Sequence, residues 1–378
     1  MPPSASQTET RAGTLTPEQI IGYMDFTSQD QNGVSTLVPY LSAQKMGPFF
    51  DSISADVATQ PLDATFKSDG EKAWVVPGVP GKALDPEKTA EALTGASVQT
   101  TGRTAQVAVT TAEPKLTTEA AEAMGIKDKL SSFTTEYVGT PNRQVNVRIT
   151  VKYASDVMLA PGEEYNFEKQ IGPRTPERGY KLAPGIVGPG KLDDVFGGGI
   201  CQVSTTLFNA VFFAGLEVTE RVNHSIYIDH YPKGRDATVT ANGANLRFKN
   251  DTQNYIWIRG SSNGITSTFT IYGTSEGRKV SYTTSDFYNV VGRTDVTTLN
   301  PSLGPGTSVV KLPGQSGKQV KVVRTVKGTD GSVIHKDTFI STWLMVPRQI
   351  EVGTGVTTTT TVPSSTTSTT GSTPTTNF

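Results

Sequence analysis

The sequence predicts an α+β protein of several domains, elongated in shape and built mostly of antiparallel β structure. Three observations lead to this expectation. A length of 378 residues is enough for two or three domains. With 37 glycines, 23 prolines and 18% charged residues, the composition is typical of turn-rich β structure and excludes a coiled coil. Short helical and strand-like patterns alternate along the chain, and we expect one helix, carrying Cys201, to pack on the sheet of a central domain.

Motifs and composition divide the chain into five segments. We expect a disordered start (1–13), an α+β module (14–137), a central domain (138–274), a β-rich module (275–352) and a disordered tail rich in Thr, Ser and Pro (353–378). Such uncharged tails are typical of stalks outside the cell. The first thirteen residues lack the basic residues followed by an apolar stretch that are typical of a signal peptide. We therefore expect an exported protein of the cell envelope whose signal or anchor segment lies outside this sequence.

The charge balance excludes several classes of function. The chain has 34 basic and 35 acidic residues, and no basic run stands out, so we expect no nucleic-acid binding. The longest apolar stretch, 210–216, is far shorter than the roughly 20 residues that a membrane span needs. Membrane attachment is therefore expected only through an anchor outside this sequence. A single cysteine excludes an intrachain disulfide, and no motif calls for a cofactor.

The first module combines helices and short strands. Thr16, Pro17 and Gln19 form the pattern of a capping box and predict a helix start. The further elements expected here are a helix over 37–57, a hairpin over 63–76, a helix over 85–93, a strand over 103–111 and a helix over 117–125.

In the central domain, three glycines and Ile200 precede a helix that begins at Cys201. The apolar residues after the cysteine fall on one helical stripe, namely Val203, Leu207, Ala210, Val211 and Ala214. Strand-like segments follow over 217–222, 225–228, 237–240, 246–249, 255–259 and 265–272, the last two as a hairpin. The β-rich module is predicted to contain strands over 309–312, 320–327, 332–340 and 342–346.

Seven segments of the central domain carry a family resemblance. They are PGEEYNF (161–167), IGPRT (171–175), RGY (178–180), GGGICQVSTTLFNA (197–210), ER-x-NHS (220–225), GRDATV (234–239) and FKN (248–250). Together they resemble the VanW family, which is named for an accessory protein of vancomycin-resistance gene clusters. The resemblance implies a cell-envelope context and leaves the biochemical activity open.

The two flanking modules also resemble known ones. The helix, hairpin, PGVPGKALD (77–85), helix and strand of the first module resemble a peptidoglycan-binding module that accompanies bacterial cell-wall enzymes. The spaced glycines of the β-rich module resemble the G5 module, which is associated with extracellular surfaces and glycan contact. These glycines are Gly314, Gly317, Gly331 and Gly353. The resemblances imply peptidoglycan or a muropeptide as the partner.

Cys201, His224 and Asp236 are the candidate catalytic residues. A helix start directs free N–H groups and partial positive charge at the sulfur, which favours the thiolate. The order of cysteine on a helix, then histidine, then aspartate on adjacent strands is similar to that of papain-like and transglutaminase-like enzymes. There histidine activates the thiol and a carboxylate orients the histidine. Asp229 is an alternative to Asp236. A buried structural cysteine, a structural histidine and an aspartate that caps a turn are the non-catalytic interpretation.

Other chemistry finds less support in the sequence. A metal site from Cys201, His224 and His230 lacks the spacing of a zinc motif, so we expect no metal. Adjacent Glu163 and Glu164 point in opposite directions on an extended segment, so they cannot flank one glycosidic bond. The segment 188–191 lacks the hydroxyl residue that a phosphate-binding loop requires.

Arginines around the cysteine segment are candidate ligands for the carboxylates of peptidoglycan stem peptides, because guanidinium binds carboxylate bidentately. The residues predicted to bind are Gln202, Arg174, Arg178, Arg221 and Arg235. Ordinary surface charge is the alternative for each arginine.

Three functions remain open from sequence. The first is an envelope protein that binds peptidoglycan or its fragments, with the central domain as the recognition element. The second is a cysteine-dependent hydrolase or acyl transferase that acts on stem peptides. The third is a structural surface protein that binds a partner and makes no glycan contact.

Overall fold

The computed structural model describes residues 13–31, 33–188 and 191–355. The predicted disordered tail and most of the N-terminal segment lie outside these described residues. The fold is α+β and mostly antiparallel, with several separate sheets. One pair of neighbouring strands, near the C-terminal end, is parallel.

The first part of the chain packs helices against small hairpins. Thr16 caps the first helix through the predicted capping box, in which its hydroxyl accepts from Gln19 N and the Gln19 side chain accepts from Thr16 N. The elements are α1 (Pro17–Tyr23), β1 (Met24–Gln31), β2 (Val34–Leu41), α2 (Gly47–Val57), β3 (Thr65–Ser68), β4 (Ala73–Val76), β5 (Gly81–Leu84), α3 (Pro86–Ser97), β6 (Val109–Ala112) and α4 (Thr118–Ala123).

Two sequence predictions in this part are wrong. The helix predicted over 37–57 is instead β2 followed by α2, because β2 pairs along its length with β1 and contains Pro39. The strand predicted over 103–111 is limited to β6, where pairing with β5 begins.

The central part is built around two helices and a four-stranded sheet. Its elements are β7 (Asp128–Glu136), α5 (Pro141–Ala154), β8 (Val157–Leu159), β9 (Glu164–Asn166), α6 (Phe167–Ile171), a 3₁₀ turn (Pro176–Arg178), β10 (Leu182–Gly188), β11 (Lys191–Phe196), α7 (Ile200–Ala214), β12 (Glu217–Arg221), β13 (Leu246–Lys249), β14 (Ile256–Ser262) and β15 (Thr266–Gly273). The strand order is β7-β15-β14-β8 in the main sheet and β12-β13-β9 in a smaller one.

The central part differs from the sequence prediction in two ways. Helix α5, which starts at Pro141 behind the Thr140 cap, was not predicted, and it buries Val147 and Val151 against the main sheet. Strand β7 falls within the first predicted module but pairs with β15, so it belongs to the central sheet. The boundary expected at 137/138 therefore lies too late in the chain.

Helix α7 lies at the centre of the hydrophobic core. Nearly all of its side chains are buried, including Val203, Leu207 and Val211 from the predicted stripe. They pack with α5 and the inner faces of the two central sheets. Because α7 is enclosed, the few residues at its first turn that reach a cleft hold a fixed position.

The C-terminal part is all β and packs on the end of α7. Its strands are β16 (Lys279–Thr284), β17 (Tyr288–Val291), β18 (Asp295–Asn300), β19 (Ser308–Leu312), β20 (Gly317–Lys327), β21 (Val333–Trp343) and β22 (Arg348–Gly353). Phe339 and Tyr282 pack their rings on α7, and the fully buried guanidinium of Arg324 donates to the carbonyls of Phe212 (3.1 Å) and Leu216 (2.8 Å). Asp337 completes the pairing of this charge at 2.7 Å.

We expect Arg324→Leu to lower the free energy of unfolding by roughly 3 kcal/mol, because the buried carbonyls of Phe212 and Leu216 each lose a charged donor and Asp337 loses its partner. Urea unfolding measures the change. Lys321→Leu, at an exposed position of the same strand, is the matched control and should change stability little. Equal stability of the two variants would contradict the structural role of Arg324.

Candidate functional site

Three glycines place the start of α7 against its neighbours. A Cβ on Gly198 would lie 2.2 Å from the carbonyl oxygen of Ala183, so only glycine lets β10 approach this closely. Gly199 precedes the helix with φ 105°, in the left-handed region that favours glycine. The turn places Ile200 and Cys201 at the start of α7, where backbone N–H groups have no partner within the helix.

Cys201 is only partly buried, unlike most of α7. Its sulfur lies 3.5 Å from the hydroxyl of Thr238 and 3.6 Å from the carbonyl oxygen of Val239. The thiol can donate to the carbonyl when protonated, and the threonine hydroxyl can donate to sulfur when the thiol is ionised. Of the neighbouring side chains, His224 lowers the pKa of the thiol most.

His224 is held by Asp236 through two contacts on one carboxylate oxygen. The backbone N–H of His224 donates to Oδ2 at 2.7 Å, and ring Nδ1 lies 2.8 Å from the same oxygen. Because Nδ1 faces Asp236, Nε2 is the nitrogen left for Cys201. The ring of Tyr231 stacks on the His224 ring with centroids 5.4 Å apart. The imidazole is therefore fixed in both tautomer and plane.

The structure brings together the three residues that the sequence singled out as catalytic candidates. Their setting differs from the expected one, because the strands predicted over 225–228 and 237–240 do not form, and His224 and Asp236 lie in irregular segments. The carboxylate, and not a strand ladder, sets the position of the histidine.

Arg221 anchors the carboxylate from the other side. Its guanidinium donates to Asp236 Oδ1 at 2.9 Å and to the Asp236 carbonyl at 2.6 Å. It also donates to the hydroxyl of Ser341 at 3.0 Å, in β21 of the C-terminal part. Arg221, Asp236 and Ser341 are buried, so this network is shielded from water.

The electrostatics of the group favour an ion pair. Burial raises the pKa of the Cys201 thiol, but the hydrogen bond and charge of His224 outweigh it and lower that pKa to about 7. Burial lowers the pKa of His224, yet hydrogen bonds with Asp236 and Cys201 raise it to about 9. Arg221 and His224 hold the pKa of Asp236 below its usual range although burial opposes them. Proton transfer from thiol to imidazole is thus favoured.

The group opens on a cleft of about 1320 Å³, here called the Cys201 cleft. Its walls are the β10–β11 hairpin, the first turn of α7 and the loops at 222–231 and 238–241, and Thr342 and Leu344 of the C-terminal part add to them. Apolar side chains cover much of the wall. Three charged residues and two histidines also line it, namely Glu136, Arg143, Arg174, His224 and His230.

The four candidate arginines do not converge on the Cys201 cleft. Arg178 stacks over the ring of Tyr153 at 4.1 Å, outside the Cys201 cleft. Arg235 is packed among aromatic rings, including Tyr282 at 4.7 Å. Arg221 is paired with the buried carboxylate of Asp236. Only Arg174 reaches the cleft wall, and it is paired there with Glu168.

Gln202 lines the cleft but is fixed inside the protein. Its side-chain amide is buried and donates to Thr135 (2.6 Å) and to the carbonyl of Glu136 (3.2 Å). Its Oε1 accepts no hydrogen bond within the part of the chain that the structure describes.

The remaining candidates lie apart from Cys201, His224 and Asp236, here called the triad. Asp229 is exposed next to His230 and does not bond His224. Glu163 caps the backbone N–H of Ala160 at 2.9 Å, and Glu164 accepts from Thr219 at 2.6 Å, so neither reaches the cleft. Across residues 13–31, 33–188 and 191–355, no three His, Cys, Asp or Glu side chains are grouped so that they could hold a metal ion.

Sequence reasoning missed Arg143, Tyr231, Thr238 and Ser341. Arg143 lies in the first turn of the unpredicted helix α5, so the missed helix hid the residue. Tyr231 follows His230 and had no recognisable signal. Thr238 lies in the GRDATV segment and was available from the family resemblance, whereas Ser341 comes from a distant strand.

The fold and the site define a class: a multidomain α+β protein in which a Cys–His–Asp group lies at the start of a buried helix and opens on a large cleft. Residues 142–272 match the family model described as "VanW like protein". Residues 19–106 match the one described as "Putative peptidoglycan binding domain". These matches suggest a cell-wall-associated protein.

Two curated proteins are similar to the chain. It is 32% identical over 236 residues to the uncharacterized protein YoaR of Bacillus subtilis, which covers 62% of this chain and 76% of that protein. It is 30% identical over 125 residues to the vancomycin B-type resistance protein VanW of Enterococcus faecalis, over 31% of this chain and 45% of that protein. The chain belongs to the VanW family.

Two solved G5 domains are similar to part of the chain. The G5 domain of an IgA1 protease matches 22% of this chain and 99% of its own length at 26% identity, with a TM-score of 0.15. A second G5 domain matches 20% of this chain at 21% identity, with a TM-score of 0.12. Separately, none of the helices in the described ranges is long and apolar enough to cross a membrane.

We expect Asp236→Asn to raise the pKa of the Cys201 thiol by roughly one unit or more, because a neutral amide no longer stabilises the imidazolium that faces the sulfur. The rate of iodoacetamide alkylation against pH, followed by intact mass, reads the single cysteine directly. In the unmodified protein, half-maximal reactivity should fall near pH 7.

The matched control is His230→Gln, which changes the other cleft histidine and should leave the alkylation midpoint in place. Thermal unfolding of both variants separates loss of the fold from loss of the charge effect. An unchanged midpoint in folded Asp236→Asn would show that Asp236 does not act on the thiol through His224.

Proposed function

We propose that this protein is a cysteine-dependent hydrolase or acyl transferase of the cell wall, acting on peptidoglycan stem peptides in the Cys201 cleft. The observation that carries the proposal is the Cys201–His224 pair, with its imidazole held by buried Asp236 and its sulfur open to the cleft. A cysteine that served only to fill the core would need neither a lowered pKa nor access to a cleft.

The chemistry follows the charges of the pair. The Cys201 thiolate attacks the carbonyl carbon of a stem-peptide amide and forms a C–S bond. His224 Nε2 gives its proton to the leaving amine as the C–N bond breaks, leaving a thioester. A water or an acceptor amine then attacks the thioester, His224 takes the proton of that nucleophile, and Cys201 leaves as thiolate.

The first turn of α7 offers a donor for the oxyanion of the tetrahedral intermediate. No described residue accepts a hydrogen bond from the backbone N–H of Cys201, whereas the N–H of Gln202 is used by the carbonyl of Gly199 at 3.0 Å. A backbone N–H at a helix start, beside the sulfur, is well placed for the charge that develops on the carbonyl oxygen.

The parts of the chain outside the central domain would hold the catalytic site near the cell wall. The peptidoglycan-binding match at 19–106 supports contact with the wall polymer, which would raise the local concentration of stem peptides at the cleft. We propose that the protein is exported, with wall-binding, catalytic and β-rich parts in that order. The G5-like resemblance fits a part that extends from the catalytic domain along the wall.

A second candidate is a wall-binding protein without catalysis, in which the cleft recognises a peptidoglycan fragment. The same match at 19–106 favours it, and the apolar cleft wall is compatible with ligand binding alone. The two candidates differ only in whether a bond is broken, so a nucleophile variant separates them.

We expect Cys201→Ala to abolish conversion of purified muropeptides, by at least about 1000-fold, while retention on purified sacculi is kept. The reason is that the change removes the nucleophile and leaves the wall-binding part untouched. Mass spectrometry of muropeptides measures conversion. His230→Gln is the matched control and should keep activity. Retention without conversion by the unmodified protein would support the binding candidate, and absence of retention at physiological salt would contradict both.

The value of kcat/KM for muropeptide conversion should show a bell-shaped dependence on pH. Below about pH 7 the Cys201 thiol is protonated and cannot attack, so kcat/KM falls as the pH is lowered. Above about pH 9 His224 has lost the proton that the leaving amine needs, so kcat/KM falls again. A profile that keeps rising beyond pH 10 would contradict the ion-pair mechanism.

A further inference from the structure

Arg143 is a cleft cation that the triad does not use. It lies in the first turn of α5 and lines the Cys201 cleft beside the glycines that precede the cysteine. A Cβ on Gly199 would lie 2.9 Å from Arg143 Cγ and 3.2 Å from Nη1, so the guanidinium rests on this glycine. The absence of a side chain at Gly199 makes room for the arginine.

No carboxylate of the described ranges pairs with Arg143 within 4.0 Å, the separation that defines an ion pair. The neighbouring arginines are different in this respect. Arg174 is paired with Glu168, and Arg221 is paired with Asp236 at 2.9 Å. Glu136 lines the cleft too but is exposed and forms no pair with Arg143. A half-buried guanidinium without a counter-ion leaves the cleft with a site for an anion.

The Arg143 guanidinium influences the pKa of Tyr231 and His230 but not that of the Cys201 thiol. The charge of Arg143 opposes the burial that raises the pKa of Tyr231, whose ring stacks on His224. It also contributes to the lowered pKa of His230, which burial lowers most. The pKa of Cys201 is raised by burial and lowered by His224, Thr238 and the backbone of Val239, and Arg143 is not among these influences. Arg143 is therefore free to bind substrate without altering the nucleophile.

We propose that Arg143 binds the terminal carboxylate of the substrate, so that the bond attacked by Cys201 is the last peptide bond of a chain ending in a free acid. This inference rests on the proposed function and names its substrate class. The guanidinium lies against Gly199, which is two residues before Cys201, and both Arg143 and Cys201 line the same cleft. A carboxylate paired with Arg143 and a carbonyl attacked by Cys201 would therefore belong to one short stretch of substrate.

The group that leaves is then a single amino acid. The thiolate forms the C–S bond to the penultimate residue of the substrate, and the C–N bond to the terminal residue breaks. His224 protonates the amine of that terminal residue, and its carboxylate stays paired with Arg143 until it departs. Water or an acceptor amine resolves the thioester as described above, so no further reactant is required.

The experiment compares two substrates on variants of one arginine. Muropeptides released from sacculi by a muramidase are used with free stem carboxylates, or after carbodiimide coupling to methylamine. Arg143→Gln is expected to lower kcat/KM on the free acids by about 10- to 100-fold, mainly through KM, and Arg143→Lys by less. Both variants should treat the methylamides as the unmodified protein does. Arg148→Gln, at an exposed position of the same helix, is the matched control.

Binding provides a readout that does not depend on turnover. In the Cys201→Ala background, calorimetry should detect the free acids and not the methylamides, and adding Arg143→Gln should remove the difference. Equal binding of both forms, or an Arg143→Gln variant that keeps its preference for free acids, would overturn the inference. If no bond is broken by the unmodified protein but the binding preference depends on Arg143, the proposed catalysis fails and carboxylate recognition stands.

Discussion

The buried carboxylate of Asp236 is the constraint on which the site depends. It accepts from the backbone and the ring of His224 and from Arg221, so one side chain fixes a histidine and neutralises an arginine in the interior. Removing such a group from water costs several kcal/mol, which the three charge-assisted contacts offset. Loss of any partner would leave an uncompensated charge beside α7. The site and the stability of the loops that carry it are therefore coupled.

The same network makes the C-terminal part a component of the central site. Ser341 bonds Arg221, the side chain of Asn223 donates to the carbonyl of Thr342 at 2.8 Å, and the N–H of Leu344 donates to the carbonyl of Ser225 at 2.8 Å. These contacts hold the loop that bears His224. The family match ends at residue 272, so a fragment cut there would lack one wall of the cleft.

The sequence predicted the local elements with strong signals. The capping box at Thr16, the hairpin that became β14–β15 and the apolar stripe of α7 depend on near neighbours, and each is present in the structure. The catalytic candidates were found because cysteine, histidine and aspartate are rare or chemically distinctive residues. Their proximity was proposed by analogy, since contacts across an irregular loop have no period that a sequence displays.

What the sequence did not reveal depends on distant contacts. The pairing of β7 with β15 joins strands from two predicted domains, and no local pattern encodes the partner of an edge strand. The roles of Arg178, Arg221 and Arg235 were misjudged because a guanidinium is equally common on the surface, over a ring or against a buried carboxylate. Arg143 was overlooked with its helix, although Thr140 and Pro141 carried the start signal.

The pairing of β7 with β15 also fixes how the central domain would respond to mechanical load. The chain enters at Asp128 and leaves at Gly273, which are paired with each other at one end of an antiparallel ladder. Tension applied through both flanks would open that ladder one hydrogen bond at a time, a geometry of low resistance compared with shear. The first bonds to break, such as Ser275 N to Asp128 Oδ2 at 3.0 Å, lie at the seam between the parts. Pulling on both flanks would thus open the main sheet first at the end where the chain enters and leaves it.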